Sequence, residues 1–274
     1  MAITKIFIKN NVRIYLSDLQ DLVQPILDQH NYLPLANLIL AHALSSFSPL
    51  ACLYDAKKML IKIKSNGPIE MLLVEIENQA VRALVANGQI ASEYDQSGYN
   101  DIPLILGLGN QGTLHISRII NNEQFTSEVN LVAADIITDL AYYLNQSDQT
   151  FSAIVNDVYL DQTSPNKIGR AVNVIFQLLP GYEEADVVWI EEFIKQNPLK
   201  NYDLATYEQL LATACIGQKT LIAQCWCSRQ RLIEALDLLT PEAQKDLFKM
   251  DQEIESQCDF CQQKYLINQK ELTT

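Results

Sequence analysis

Two close pairs of thiols, Cys225-Trp226-Cys227 and Cys258-Asp259-Phe260-Cys261, are the residues of this chain whose type and spacing point to chemistry. Each pair can deliver two sulfurs from one turn, and together they supply the four ligands of a tetrahedral zinc site. They are four of six cysteines in 274 residues, and all four lie in the last 50 positions. Thiols gathered in this way hold a metal, do redox chemistry, or both. The bland alternative is cysteine used as a small core residue.

Magnitudes decide what such a module does. A hydrophobic core of this size supplies about 3–5 kcal/mol, whereas a structural zinc site contributes about 10–16 kcal/mol of apparent folding free energy. The metal ties the first pair to the second across the 30 residues between Cys227 and Cys258. Disulfides closed within each pair would tie nothing together across that span, and their loops are too short to constrain the unfolded chain. Oxidation within the pairs is therefore expected to release the metal and the only long-range cross-link. Metal-bound sulfurs also stay in the thiolate form that peroxide and hypochlorous acid attack. The Cys258–Cys261 pair closes readily in one turn and should form first, while Cys225–Cys227 closes with strain.

The elements that position these thiols follow from pattern. Ile6 and Ile8, then Val12, Ile14 and Leu16, alternate around Asn10-Asn11 and predict a β-hairpin. Ser17 or Asp18 is placed to cap a helix with Leu19, Leu22, Val23, Ile26 and Leu27 on one face, kinked or cut short at Pro25. Pro34 opens a second helix, Leu35 to Phe47, apolar nearly all round. The apolar stretch Leu33 to Leu53 is interrupted by Asn37, His42, Ser45, Ser46, Ser48 and Pro49, and reads as a buried helix, not a membrane span. Three short strands are predicted at Met59–Ile63, Met71–Ile76 and Val81–Val85, another at Thr113–Ile119, a helix at Val129–Leu144 and a last strand at Ala171–Leu179. Pro180-Gly181 marks a boundary. Beyond it two acidic amphipathic helices carry Val187, Ile190 and Ile194, then Leu204, Tyr207, Leu211 and Ala214, with Trp189 and Phe193 widening the docking face. In the tail, Ser228 and Thr240-Pro241 start helices, the second with Leu247, Phe248 and Met250 facing inward. Cys258 and Cys261 fall between two short strands, and Phe260 and Tyr265 should fill the small core.

The fold class expected is α+β: a mixed-sheet core domain with packed helices (1–179), an acidic helical linker (180–218), and a small zinc-binding module (219–274). Net charge is −13, made of 11 basic and 17 acidic side chains over 1–179, 2 and 7 over 180–218, and 7 and 9 over 219–274. A nucleic-acid-binding zinc module needs a basic face, so that use is disfavoured. The N-terminus lacks the apolar stretch of a signal peptide, which places the chain in a reducing cytoplasm, without membrane contact. Gly107, Gly109 and Gly112 imitate a phosphate loop but lack its lysine and lead into a strand. A thioredoxin-like reductase would open a helix with its thiol pair, which this chain does not. His42 is a core histidine by its setting, although imidazole can bind a metal. No catalytic residue is assigned.

Cys225-Trp-Cys227-Ser228-Arg229 with Cys258-Asp-Phe-Cys261-Gln-Gln-Lys-Tyr265 resembles the C-terminal module of the heat-shock protein 33 family, the 33 kDa chaperonins. Asn66-Gly67-Pro68, the run from Ala141 to Gln149 and Phe176-Gln177-Leu178-Leu179-Pro180-Gly181 resemble that family's core domain. The resemblance implies an ATP-independent holdase, not an enzyme, acting on unfolded or oxidatively damaged proteins under oxidative stress. It implies one Zn²⁺ on Cys225, Cys227, Cys258 and Cys261 in the reduced, inactive, monomeric state. It further implies Cys225–Cys227 and Cys258–Cys261 disulfides, zinc release, linker destabilisation and dimerisation in the active state. Trp226 stands where a polar or charged residue is expected, Asp148 where glutamate is frequent, and Cys215 lies near enough in sequence to mispair with Cys225. A different class of function stays open beside this one: a zinc-dependent protein-interaction adaptor with a purely structural site.

Overall fold

The computed structural model describes residues 1–91, 98–147, 151–249 and 252–272. Two compact units divide between Ala223 and Gln224. The first opens with the expected hairpin, β1 (Ala2–Lys9) and β2 (Val12–Asp18), turning at Asn10 with φ 52°. Helices α1 (Gln20–Leu27), α2 (Pro34–Phe47) and α3 (Leu50–Tyr54) follow. Pro25 is accommodated inside α1, which stops two residues later. The meander is β3 (Lys58–Ser65), β4 (Met71–Glu77) and β5 (Ala80–Val85), then come α4 (Ile105–Leu108), β6 (Gly112–Ile120), β7 (Glu123–Asn130), α5 (Ile136–Ser147), β8 (Ser152–Asp161) and β9 (Ser164–Leu178). Helices α6 (Glu184–Gln196) and α7 (Leu204–Leu210) and strand β10 (Cys215–Ala223) complete the unit.

Among the described residues the strands form one ten-stranded mixed sheet, ordered β7-β6-β3-β4-β5-β10-β1-β2-β9-β8. Strand β10 joins its halves. It pairs with β1 antiparallel from Ala2↔Leu221 to Phe7↔Cys215, and with β5 parallel at only Ile222↔Ala80 and Ala223↔Val81.

Strand alternation sorts side chains onto two faces. Tyr15, Ala171 and Ile175 join α1, α2 and α5 in the larger core. Their neighbours Ile14, Leu16, Val172, Val174 and Phe176 point the other way, under Ile190, Phe193, Tyr207 and Leu211 of the α6–α7 segment. Helix α2 and its continuation, Pro34–Tyr54, is the one described helix long and apolar enough to cross a membrane, and 94% of its most apolar window is buried inside the fold. His42 lies on it, its Nδ1 without a hydrogen-bond partner among the described residues. Burial pushes its imidazole down to about 4, against the opposing pull of Asp135.

The acidic helices thus find the neighbour their stripes require. Phe193 packs edge-on to Phe176 and Tyr207, with centroids at 5.9 and 5.7 Å, and against Trp189 at 5.3 Å. The hairpin end reinforces the docking: Asn11 Nδ2 donates to Asp186 Oδ2 (3.1 Å), and Lys9 Nζ sits 4.9 Å over the Trp189 ring while donating to the Leu211 carbonyl (3.1 Å). Asp186 also accepts from the Glu183 amide in a capping box, and these donors hold its carboxyl below the usual range. The Tyr207 hydroxyl is buried in this layer without a hydrogen-bond partner among the described residues, and burial raises its pKa. An unpaired buried hydroxyl costs about 1–3 kcal/mol. Tyr207→Phe should therefore slow amide exchange in α6 and α7; equal or faster exchange would contradict this account.

Several expectations need correction. The helix predicted at Val129–Leu144 is strand β7 up to Asn130 and a helix only from Ile136. The strand predicted at Ala171 starts at Ser164, and β8 and β10 carried no expectation as strands. Asp148 and Gln149 lie outside the described residues.

The second unit is smaller: α8 (Arg229–Asp237), α9 (Pro241–Leu247) and the hairpin β11 (Glu253–Gln257) and β12 (Lys264–Asn268). Its buried apolar set is Ile233, Phe248 and Ile267, with Leu232, Leu236, Ile254, Tyr265 and Leu272 partly buried around them. Phe260 is half-buried but outside this cluster, and Leu247 faces solvent, not inward. Met250 is not among the described residues.

Candidate metal centre and redox site

The first thiol pair occupies the irregular segment between β10 and α8, and the second occupies the turn between β11 and β12. Local chemistry fixes both. Ser228 caps α8, its Oγ accepting from the Arg231 amide (3.2 Å), so the chain leaves Cys227 directly into a helix. The Arg229 guanidinium then reaches across to the Leu266 carbonyl (3.2 and 3.0 Å) and forms an ion pair with Glu271. In the hairpin turn the Gln262 amide donates to the Cys258 carbonyl (2.8 Å) and the Cys258 amide to the Gln263 carbonyl (2.9 Å). Gln262 takes the positive φ of 60° that closes the turn.

This brings all four predicted site residues together. The sulfurs of Cys225, Cys227, Cys258 and Cys261 lie within 4.8 Å of one another, the one such cluster of possible ligands among the described residues. Sγ of Cys225 is 3.8 Å from that of Cys258, and Sγ of Cys227 is 3.3 Å from that of Cys261. Zn–S bonds of about 2.3 Å place sulfurs at the corners of a tetrahedron about 3.8 Å apart. The donor set and its spacing therefore fit one zinc ion, and no histidine or carboxylate is needed.

Electrostatics agree. Burial, first, raises the thiol pKa of Cys258, assisted by Cys225 and Cys227, while the amides of Cys261 and Phe260 pull it down. Burial likewise raises that of Cys261, with the other sulfurs adding to the effect. The Tyr265 hydroxyl lies 3.2 Å from Cys227 Sγ, and this hydrogen bond with burial pushes its pKa up to about 12. Four sulfurs this close cannot all ionise unaided; a divalent cation at their centre would supply the missing charge. Tyr265, Arg229 and the turn amides are the supporting groups that spacing alone did not assign. A tyrosine four residues beyond Cys261 was the available signal for the first.

Cys52 is buried in α3 and Cys215 is exposed on β10; neither belongs to the cluster.

The family model described as Hsp33 protein matches residues 2–268. The chain belongs to the Hsp33 family. A 33 kDa chaperonin of Acholeplasma laidlawii is 28% identical over 275 residues, covering 96% of this chain and 93% of that protein. One of Bacillus subtilis is 28% identical, covering 95% and 92%, and one of Latilactobacillus sakei is 30% identical, covering 78% and 76%. The crystal structure of the Hsp33 homologue from Thermotoga maritima superposes with a TM-score of 0.82 at 23% identity, over 98% of this chain and 95% of that one. The Hsp33 fold accordingly extends through both units, and the α+β expectation with a terminal four-cysteine cluster holds.

Proposed function

We propose that this Hsp33 chain is an ATP-independent holdase, not an enzyme, that is silent while reduced and zinc-bound and is switched on by oxidation. One observation carries the reading: two sulfur pairs far apart in sequence converge at one point in a unit with only three buried apolar side chains among its described residues. Bound there, zinc supplies two positive charges and holds four thiolates together. Cys225, Cys227, Cys258 and Cys261 are its ligands.

Oxidation acts on the sulfurs themselves. Cys258 and Cys261, as thiolates, give two electrons to hydrogen peroxide, which takes up two protons from solvent and leaves as two waters, and a disulfide bond forms between them. Cys225 and Cys227 close in the same way. The four-sulfur donor set is gone, zinc is released, and Gln224–Thr274 loses the link that its small core cannot replace. With this unit unfolded, the α6–α7 layer of residues 180–218 is the part that detaches from the sheet, while β10 stays paired with β1. Its release uncovers Val12, Ile14, Leu16, Val172, Val174 and Phe176, a continuous apolar face suited to unfolding proteins. The clients are unfolded or oxidatively damaged proteins in the cytoplasm, and the same exposed face drives dimerisation of the active form. Neither nucleic acid nor membrane is a partner.

Light scattering of a heat-unfolding client tests this. Protein oxidised with peroxide under mild heat should suppress aggregation, and reduced zinc-loaded protein should not. Timed thiol trapping with mass spectrometry should find Cys258–Cys261 closed before Cys225–Cys227. Equal protection in both redox states rejects the switch, and protection in neither rejects the chaperone. Activity that disappears with the metal identifies an adaptor instead.

A further inference from the structure

The seam of the large sheet contains a gap. β10 touches β5 only at Ile222 and Ala223, because the β4–β5 turn at Asn78 and Gln79, both at positive φ, ends the neighbouring strand there. The Ile222 amide donates to the Gln79 carbonyl, which fixes which way each β10 residue points its main chain. By alternation Gln218 and Thr220 point their N–H and C=O groups to that same side, while Lys219 and Leu221 face β1. Because β5 pairs only with Ile222 and Ala223, Gln218 and Thr220 have no strand partner on this side among the described residues. They face a cleft of about 400 Å³. Its wall is formed in part by Ala51, Cys52 and Ala56, small residues of and just after α3, and its mouth includes Lys57 and the Lys219–Asp55 ion pair.

We infer that this cleft is a peptide-binding site, which takes a short extended segment as an added strand against Gln218–Thr220. The unpaired main-chain donors and acceptors match an extended backbone. The small wall residues admit a small or β-branched side chain, and Lys57 and Lys219 outnumber Asp55 at the mouth, which suits a carboxylate there. The volume falls within the range of small-ligand sites. The inference goes beyond the chaperone reading: it assigns a peptide site that is open in the reduced state and is not the client face that oxidation uncovers. It is distinct from the apolar face beneath α6 and α7.

The test is direct binding of a fluorescein-labelled hexapeptide of alternating valine and glutamate to the reduced, zinc-loaded full chain, read by fluorescence anisotropy. Saturable binding is expected. The same peptide N-methylated at alternate residues should bind about tenfold more weakly, as should the Thr220→Pro variant, which removes one cleft-facing N–H and leaves the β1 ladder intact. A valine–lysine peptide should bind more weakly than the glutamate one, and Lys57→Glu should narrow or reverse that preference without dependence on Thr220→Pro folding. No saturable binding, or equal binding by the N-methylated peptide, would overturn the site. Peptide binding in a protein that never protects a client would leave the cleft standing and remove the chaperone reading.

Discussion

Cys258→Ser is expected to leave the reduced chain metal-free, with residues 224–272 unfolded and the large sheet intact. Removing one of four donors weakens a contribution of about 10–16 kcal/mol, against a core whose buried apolar residues are Ile233, Phe248 and Ile267. The Arg229–Glu271 pair and the Tyr265 hydroxyl also bridge the two halves, but exposed ion pairs contribute at most about 1 kcal/mol. Hydrogen exchange should show loss of protection throughout β11 and β12 with α2 unchanged, and metal analysis should find less than one zinc per chain. The same variant should suppress client aggregation without any oxidant. A Cys258→Ser protein that kept a protected β11–β12 hairpin without metal would show that the cluster is not what holds the unit together.

The second large effect belongs to the opposite end of the switch. Phe193 is the centre of the aromatic layer between α6 and the sheet, touching Phe176, Trp189 and Tyr207. Truncating a buried phenylalanine costs about 3–5 kcal/mol. Phe193→Ala should therefore raise the open population of residues 184–211 about 150- to 5,000-fold, read as faster amide exchange confined to α6 and α7. It should protect clients while the four cysteines remain reduced and metal-bound. Faster exchange with no gain in protection would separate helix release from client binding, and the uncovered face would no longer serve as the client surface.

What could be read in advance, and what could not, has physical causes. The four-sulfur site was legible because the thiols and their spacing are themselves the signal, and a metal needs no particular secondary structure between them. Helix α2 and the meander were legible because burial on one or both faces leaves a strong apolar pattern. Strand β7, Glu-Gln-Phe-Thr-Ser-Glu-Val-Asn, sits at the sheet edge with most of its residues exposed, so no alternating apolar face marks it. β10, Cys-Ile-Gly-Gln-Lys-Thr-Leu-Ile-Ala, carries one fully buried residue, Leu221, and its place is set by partners from the first nine residues and from the meander. Such pairing is non-local and leaves no periodic trace. It also moves residues 215–223 into the large sheet, across the boundary expected at 218/219.

The position of β10 between β5 and β1 has a consequence for synthesis. The ribosome delivers the hairpin first and this strand only after every other strand of the sheet has emerged. Until then the outer edge of β1 and that of β5 stay open, side by side with nothing to join them, and nascent chains released short of residue 223 carry two sticky borders. A protein that guards others from clumping must itself be nearly finished before it stops being at risk of the same fate.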